Sequence, residues 1–275
     1  MAEGRGTTLV EDLIQVLQRK LDQRDLAVDK VVIGVFYTAV KLETGHTGVA
    51  FTPVREIPEA VCCPRSASRM PAAGKLAGQS AWELLGHALN DSPLKVSVGI
   101  ATLNALSALV MEEQGLAGYR VLKGADALDA VDVGPEDEVA LVGAFVPFIK
   151  KLKGQVGRLS VLEKNPQALK ADEMALYRPA EEAKEVLSGA DVVVISGSAI
   201  VHHSLDSLLS FCPSAREVIV AGPTASMYPD PLFARGVTVL GGVAILDGDE
   251  MVTVVGEGGS GYFFAGYAEK TVLVR

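Results

Sequence analysis

Four turns rich in glycine, proline and polar residues are the segments of this chain best suited to bind a ligand. Each follows a short apolar run of the kind that forms a buried strand. The turns span Gly143–Pro147, Glu163–Pro166, Gly197–Ser198 and Gly222–Thr224. Ligands of open parallel sheets bind beyond the carboxyl ends of the strands. The sequence therefore predicts that the four turns converge on one binding site.

The first turn precedes a predicted helix that begins after Pro147. Backbone N–H groups at such a turn favour phosphate, carboxylate or cofactor groups. Glu163 follows Gly143 at about the 20-residue spacing of an acid that binds a ribose hydroxyl. The glycine fingerprint of dinucleotide sites is missing, because Gly143 stands alone and Phe145 and Pro147 would crowd a pyrophosphate. Glu163 is therefore either a ligand-binding acid or the cap of a turn, and Gly222–Thr224 suits either an anion or a structural turn.

His202 and His203 are candidate metal ligands, because neutral imidazole binds transition metals. Adjacent residues seldom face the same ion, and Ser204 can cap the next helix, so a role at that helix start is the alternative. Cys62 and Cys63 could supply thiolates to a soft metal. Their spacing is not that of a Cys-x-x-Cys site, and a buried or incidental role is favoured.

Composition and charge argue against several classes of function. The 275 residues carry a net charge of -9 without a Lys- or Arg-rich stripe, so we expect no nucleic-acid partner. The signatures of Ser-His-Asp hydrolases, Walker-loop kinases and HExxH proteases are missing. Three cysteines indicate a reducing compartment rather than a disulfide framework, and Cys212 is expected in the core. With no signal peptide and no apolar run near the length of a membrane span, we expect a cytoplasmic protein without membrane contact.

The first half is predicted to form helices around a hairpin. Thr8 and Glu11 form a capping-box pattern for a helix that runs to about Arg24. The strand-like runs 30–42 and 46–52 are expected to pair, and 53–78 is expected to be a long loop. Two further helices are predicted at 81–90 and 97–114.

The second half alternates strands with helices, which is typical of a parallel sheet covered by helices. Its predicted strands are 139–143, 158–162, 191–196, 217–221 and 237–240. The acidic, turn-rich stretch Gly124–Asp137 separates the two halves and predicts a domain boundary near residue 130. Residues 242–275 contain further apolar runs whose places in the fold are left open.

Several motifs, in this order along the chain, resemble a known family. They are Gly99–Ala105 (GIATLNA), Val142–Pro147 (VGAFVP), Ser196–Val201 (SGSAIV) and Gly222–Thr224 (GPT), followed by Pro229 and Gly236. The chain is similar over nearly its whole length to the uncharacterised family known as the "Putative heavy-metal chelation" domain. The resemblance implies an α/β protein with an N-terminal α+β domain, residues 1–130, like the N-terminal domain of enolase. A Rossmann-like parallel-sheet domain, residues 131–275, would follow it.

The resemblance also implies a ligand site in the cleft between the two domains. The first domain would contribute the motif that ends at Asn104, and the second its strand-end turns. The family commonly has Asn at the position of His202, so His202 is either a substitute ligand or a neutral change. The candidate ligand-binding residues are Thr102, Asn104, Gly143, Phe145, Pro147, Glu163, Gly197, Ser198, Gly222, Pro223 and Thr224, and the candidate metal ligands are His202, His203 and Glu163.

These observations predict a protein that binds a transition metal, of a kind the sequence does not specify, or a metal chelate in the cleft. The alternative is an enzyme that acts there on an anionic small molecule or a nucleotide-like cofactor, such as S-adenosylmethionine. A third hypothesis is a sensor or scaffold with a vestigial cleft. The expected partner is a metal or small-molecule ligand, and apolar and small-residue surfaces are compatible with a homodimer.

Overall fold

A computed structural model describes residues 7–57 and 71–275. Its helices are α1 (Leu9–Lys20), α2 (Ala81–Gly86), α3 (Pro93–Gln114), α4 (Val146–Leu152), α5 (Ala183–Ser188), α6 (Ser198–Val201), α7 (Leu205–Ser210), α8 (Asp230–Phe233) and α9 (Gly248–Gly256). Its strands are β1 (Val28–Ile33), β2 (Tyr37–Leu42), β3 (Thr47–Phe51), β4 (Arg120–Lys123), β5 (Glu138–Val142), β6 (Arg158–Glu163), β7 (Tyr177–Pro179), β8 (Val192–Ser196), β9 (Glu217–Ala221), β10 (Val239–Ile245) and β11 (Ala268–Val274).

The first sheet is antiparallel and has the strand order β1-β2-β3. The predicted pairing of two runs is confirmed for β2 and β3, which meet at a turn containing Gly45. The prediction of a single strand over 30–42 is wrong. The chain reverses at 34–36, where the amide of Gly34 donates to the carbonyl of Tyr37. This turn creates β1 and places Tyr37 at the start of β2.

The capping signals of the first half are confirmed, with shifted helix boundaries. Thr8 and Glu11 form the predicted capping box of α1. After α2 the chain continues as a short 3-10 helix, His87–Leu89, rather than as α-helix to residue 90. Helix α3 begins at Pro93, four residues before its predicted start, because proline fits the first turn of a helix. It ends before Gly115 as predicted.

The second sheet has eight strands in the order β4-β11-β10-β9-β8-β5-β6-β7. The strands from β10 to β7 are parallel, whereas β11 and β4 run antiparallel to their neighbours. Numbered along the chain from β5, the parallel strands have the order 3-2-1-4-5-6 of a doubly wound sheet. All five predicted strands of this half are present. The order of strands reverses between β5 and β8, where ligands of such sheets commonly bind.

Two elements lie on the opposite side of the predicted domain boundary from the sheet that they contact. Strand β4 precedes the predicted boundary near residue 130, yet it pairs with β11 in the second sheet. Helix α9 follows that boundary, yet it packs on β1 and β2. The 248–256 helix and β11 account for the apolar runs after residue 242. The division at residue 130 remains a prediction about domains.

Helix α3 forms the centre of the core between the two sheets. It packs on β2 and β3, and the same buried cluster includes Val193, Ile195 and Val220 of the second sheet. By length and hydropathy this 22-residue helix could cross a membrane, so the expectation that no apolar run approaches a span is wrong. An apolar stretch of 18 residues in this helix is 83% buried inside the protein, which is typical of a core helix.

The close contact of β3 with α3 depends on Gly48. A Cβ atom on Gly48 would lie 2.2 Å from the carbonyl oxygen of Ala101 and 2.3 Å from the amide nitrogen of Ala105. Both are backbone atoms of α3, which a change of side-chain rotamer cannot move. The small residues of this helix therefore allow close backbone packing, as their sequence pattern indicates.

We predict that Gly48→Ala lowers the free energy of unfolding by about 3 kcal/mol, because overpacking strains the β3–α3 contact. Gly86→Ala is the matched control, since nothing lies within 4 Å of its added methyl group. In α2 the control is expected to be neutral or stabilising. Urea denaturation of both variants measures the difference, and an equal effect would contradict this account.

Candidate functional site

A cavity of about 580 Å³ lies beyond the carboxyl ends of β5, β8 and β9 and beside the middle of β10, at the point where the strand order reverses. Its wall also includes residues of β2, β3 and β11, of the segment after β4 and of the loop before β11. It is lined by Tyr37, Phe51, Ala125, Asp126, Ala127, Phe145, Pro147, Phe148, Ser196, Gly197, Ser198, Ala221, Gly222, Pro223, Thr224, Gly241, Gly242, Val243, Gly261, Tyr262, Phe264, Ala265, Ala268, Lys270 and Val272. Three of the four predicted turns thus converge on it.

The close approach of the turns after β5 and β8 requires glycine. Gly143 has φ +102°, and a Cβ atom there would lie 3.2 Å from the Cβ atom of Ser196. Glycine adopts this conformation without strain. Gly143 therefore positions Phe145 and Pro147 in the wall without lining the cavity itself.

Six of the residues that line this cavity are aromatic, and the cavity is named the aromatic cavity for them. Tyr37 packs against Phe264 with ring centroids 5.1 Å apart, and Phe145 stacks on Phe148 at 5.1 Å with 17° between the ring planes. Its charged residues are Asp126 and Lys270, whose Oδ1 and Nζ atoms form an ion pair at 2.8 Å. Such a wall suits a planar or apolar organic group with a few polar contacts.

The expected free backbone amides are absent at the three glycines of the strand ends. The amide of Gly143 donates to Leu162, that of Gly197 to Ala221 and that of Gly222 to Gly241, each to a carbonyl at 2.8–2.9 Å. These bonds extend the sheet by one residue beyond each strand. The amides of these three glycines are therefore engaged in the sheet and are not available to an anion.

Asn104 joins three segments instead of lining this cavity. It is 1% exposed, and its Nδ2 donates to the carbonyl oxygen of Val49 at 2.8 Å and to that of Thr224 at 2.9 Å. The hydroxyl of Thr224 accepts from the amide of Phe51 at 2.9 Å. These bonds fix the strand-end turn after β9 against β3. Thr102 is fully buried, and its hydroxyl donates to the Val98 carbonyl within α3.

Asn104 also lines a second cavity, of about 570 Å³, between the β2–β3 turn, α3 and the strands β10 and β11. Its Oδ1 atom is buried without a hydrogen-bond partner in the described part of the chain. At this cavity His46 pairs with Glu112, with Nε2 and Oε2 2.9 Å apart. The two cavities share Gly242 and Val243 of β10.

Glu163 caps the turns that surround it. Its Oε2 accepts from the amide of Ala144 and its Oε1 from the amide of Asn165, both at 3.1 Å. Glu163 thus fixes the turn after β5 and the turn after β6, and it does not line the cavity. This geometry fits the interpretation of Glu163 as a turn cap.

His202 lies beside the aromatic wall in a small charged cluster. Its Nδ1 is 3.3 Å from Oε1 of Glu56, which is also 3.6 Å from Nζ of Lys164, and its ring is 5.9 Å from that of Phe51. Burial lowers the pKa of His202 below its ordinary value of 6.5, and Lys164 and His203 act in the same direction against Glu56. His203 has φ +51° in the turn before α7. Ser204 precedes α7 but makes no side-chain capping bond there.

Within residues 7–57 and 71–275, no three His, Cys, Asp or Glu side chains come together to hold a metal ion. Cys62 and Cys63 lie outside this part of the chain. Cys212 is buried as predicted, and burial raises its pKa to about 11, so it stays a thiol at neutral pH.

Sequence reasoning missed Tyr37, Lys270 and the aromatic residues near the C-terminus. A tyrosine at a strand start and a lysine within a strand are typical of ordinary structure. Only the fold brings them to the ends of β5 and β8. The signal that could have found Tyr262 and Phe264 is the glycine-rich stretch Gly256–Gly261 before them.

Comparisons with known proteins match both halves of the chain. A model of the DUF364 family, described as "Putative heavy-metal chelation", matches residues 126–274, and a model of the DUF4213 family with the same description matches residues 14–107. An uncharacterised protein of Methanocaldococcus jannaschii is 27% identical over 180 residues, which cover 64% of this chain and 65% of that protein. The match thus spans slightly less than two thirds of this relative.

Two crystal structures share the fold. One is a DUF364-family protein of unknown function from Pyrococcus horikoshii, with a TM-score of 0.78, 20% identity and coverage of 98% of this chain and 100% of its own. The other comes from Desulfitobacterium hafniense, with a TM-score of 0.72, 20% identity and coverage of 96% and 99%. The predicted two-domain α/β fold and the family resemblance are confirmed.

We predict that Asn104→Asp lowers the free energy of unfolding by about 3 kcal/mol, because a carboxylate cannot donate to the carbonyls of Val49 and Thr224. Thr102→Val is the control. It removes one hydroxyl whose acceptor belongs to its own helix, and about 1 kcal/mol is expected. Denaturant unfolding at neutral pH compares the two variants. Similar losses of unfolding free energy would contradict the prediction that the bonds of Asn104 between segments stabilise the fold more than a bond within one helix.

Stability is expected to fall as the pH drops below about 6.5, because His202 binds its proton less tightly in the folded than in the unfolded chain. The loss continues until the pH reaches the lowered pKa of the folded state. His202→Gln should flatten this dependence below about pH 6.5. His87, whose pKa burial also lowers, contributes separately, so His87→Gln is the comparison. An unchanged slope in His202→Gln would contradict the prediction.

Proposed function

Since the chain belongs to the DUF364 family, described as "Putative heavy-metal chelation", we propose that it binds a transition metal as an organic chelate in the aromatic cavity. The ligand supplies the atoms that coordinate the metal, and the protein recognises the organic part. The sequence predicts a metal or a metal chelate in the cleft, and this proposal selects the chelate.

The observation that carries this proposal is the contrast between the cavity and a metal site. Bare transition metals are held by several His, Cys or carboxylate ligands in a fixed geometry. The described residues contain no such group of three, and the carboxylate of the wall, Asp126, is paired with Lys270. A volume of about 580 Å³ with aromatic walls is instead typical of an organic ligand.

Of the three predicted metal ligands, His202 has the best support. It lies next to Phe51 of the cavity wall, and its lowered pKa keeps the imidazole neutral near pH 7, the form that binds metals. Both oxygens of Glu163 already accept backbone hydrogen bonds. Metal binding by Glu163 would therefore compete with the bonds that fix two turns.

The strand order favours a second candidate, an enzyme that acts on a nucleotide-like cofactor such as S-adenosylmethionine. Sheets with this order bind such ligands where the order reverses, and the cavity lies there. The bonded amides of the three strand-end glycines weaken the anionic version of this hypothesis. We place either activity in the cytoplasm, as the sequence predicts.

The test compares free and chelated metals. Protein dialysed against a strong chelator is mixed with Fe(III), Ni(II) or Cu(II), either as aquo ions or as picolinate complexes, and then gel-filtered for elemental analysis. We expect about one metal per chain to be retained from a picolinate complex, which has a planar aromatic ring, and none from the free ions beyond surface binding. Retention of free ions as efficiently as of chelates, or of neither, would contradict the proposal.

A variant that fills the cavity locates the binding. Ala265 is exposed and lines the cavity, so Ala265→Trp introduces an indole ring there. We expect it to weaken retention of the chelate about tenfold or more, equivalent to about 1.4 kcal/mol. Ala117→Trp, at an exposed alanine outside the cavity wall, is the matched control. A thermal-shift titration with S-adenosylmethionine on the same proteins tests the second candidate.

A further inference from the structure

Tyr37 occupies a distinctive place in the cavity wall. It starts β2, and its ring packs against Phe264 on the loop before β11. Its hydroxyl oxygen lies 3.7 Å from the position of a Cβ atom on Gly261, and Pro223 Cγ lies 4.0 Å from the same position. Gly261 and Pro223 both line the cavity, so the hydroxyl lies at the cavity wall.

The hydroxyl of Tyr37 makes no hydrogen bond with the described residues. It contrasts with Tyr119, whose hydroxyl donates to Oδ1 of Asp230 at 2.7 Å. Buried tyrosine hydroxyls usually have a hydrogen-bond partner. Burial alone raises the pKa of Tyr37 to about 12, so the hydroxyl keeps its proton at physiological pH and remains a donor.

The other polar groups of the wall are mainly donors as well. Ser198 donates its hydroxyl proton to Oγ of Ser196 at 2.9 Å, which leaves the Ser196 proton available. Lys270 adds an ammonium group, partly neutralised by Asp126. A ligand with acceptor oxygens can therefore accept hydrogen bonds from several groups of this wall.

We propose that the Tyr37 hydroxyl donates the hydrogen bond that orients the ligand, and that the ligand presents a carboxylate or carbonyl oxygen to it. This inference rests on the proposed function, because it concerns the ligand of the same cavity. It narrows the ligand class to compounds with an apolar or planar body and an acceptor oxygen. A metal complex of an aromatic carboxylate such as picolinate belongs to this class.

A pair of metal-free probes tests the role of Tyr37 independently of any metal. Indole-3-carboxylate and indole share a planar body, and only the first carries a carboxylate. Isothermal titration calorimetry of wild type near neutral pH is expected to show about tenfold tighter binding of indole-3-carboxylate. Tyr37→Phe should abolish this preference while leaving the affinity for indole unchanged.

Tyr119→Phe is the matched control, since it also removes one phenolic hydroxyl but outside the cavity wall. It should keep the preference for the carboxylate even though its bond to Asp230 is lost. The urea midpoint of Tyr37→Phe should equal that of wild type, because no bond within the described residues disappears. Binding differences in this variant therefore do not arise from unfolding.

A preference that survives in Tyr37→Phe overturns the proposal, as does wild type that binds both probes equally or neither. Loss of the preference in Lys270→Gln combined with its survival in Tyr37→Phe also overturns it and assigns anion recognition to Lys270. A Tyr37-dependent preference in a protein that retains no metal picolinate supports the role of Tyr37 and rejects the metal proposal. Failure of the Tyr37 proposal and failure of the metal-chelate proposal thus give different results.

Discussion

The two hydrogen bonds from the Asn104 carboxamide hold the two parts of the ligand cavity in register. One reaches β3 of the first sheet, and the other reaches the turn that follows β9 of the second. Because Asn104 is buried in the core helix α3, both bonds form away from water, where an unpaired donor or acceptor is costly. A further hydrogen bond, from the amide of Phe51 to the hydroxyl of Thr224, joins two residues of the cavity wall. The shape of the cavity therefore depends on a residue that does not line it.

The cavity combines a general property of the parallel sheet with a specific contribution of the first half. Reversal of the strand order between β5 and β8 opens a crevice at the carboxyl ends of the strands. The first sheet then supplies Tyr37 and Phe51, and the loop before β11 supplies Tyr262 and Phe264. These rings turn a crevice suited to many ligands into one suited to an apolar or planar group. Close packing at Gly48 determines how near β3 of the first sheet lies to the core helix α3.

Charged residues around the cavity are largely engaged with one another or with the backbone. Glu163 accepts from two amides, Asp126 pairs with Lys270, and Glu56 lies between His202 and Lys164. Such pairing leaves hydroxyl groups as the available polar contacts. This pairing is the basis for proposing a ligand that brings its own metal-coordinating atoms rather than a bare ion. The partly buried position of His202 in this cluster also makes the stability of the fold depend on the protonation of its imidazole.

Local signals in the amino-acid sequence are sufficient to predict the α/β fold, five of the parallel strands, the capping box of α1, the end of α3 and three turns that converge on the cavity. These signals are hydrophobic runs, capping residues and glycines, which act over a few residues. Which side chains meet depends instead on the folded chain. Asn104 links separate segments, Glu163 caps two turns, and Tyr37, distant in the chain, lies in the wall beside Gly261 and Pro223. Hydrogen-bond partners and cavity walls arise from contacts between distant segments, because strand order and burial determine which segments meet.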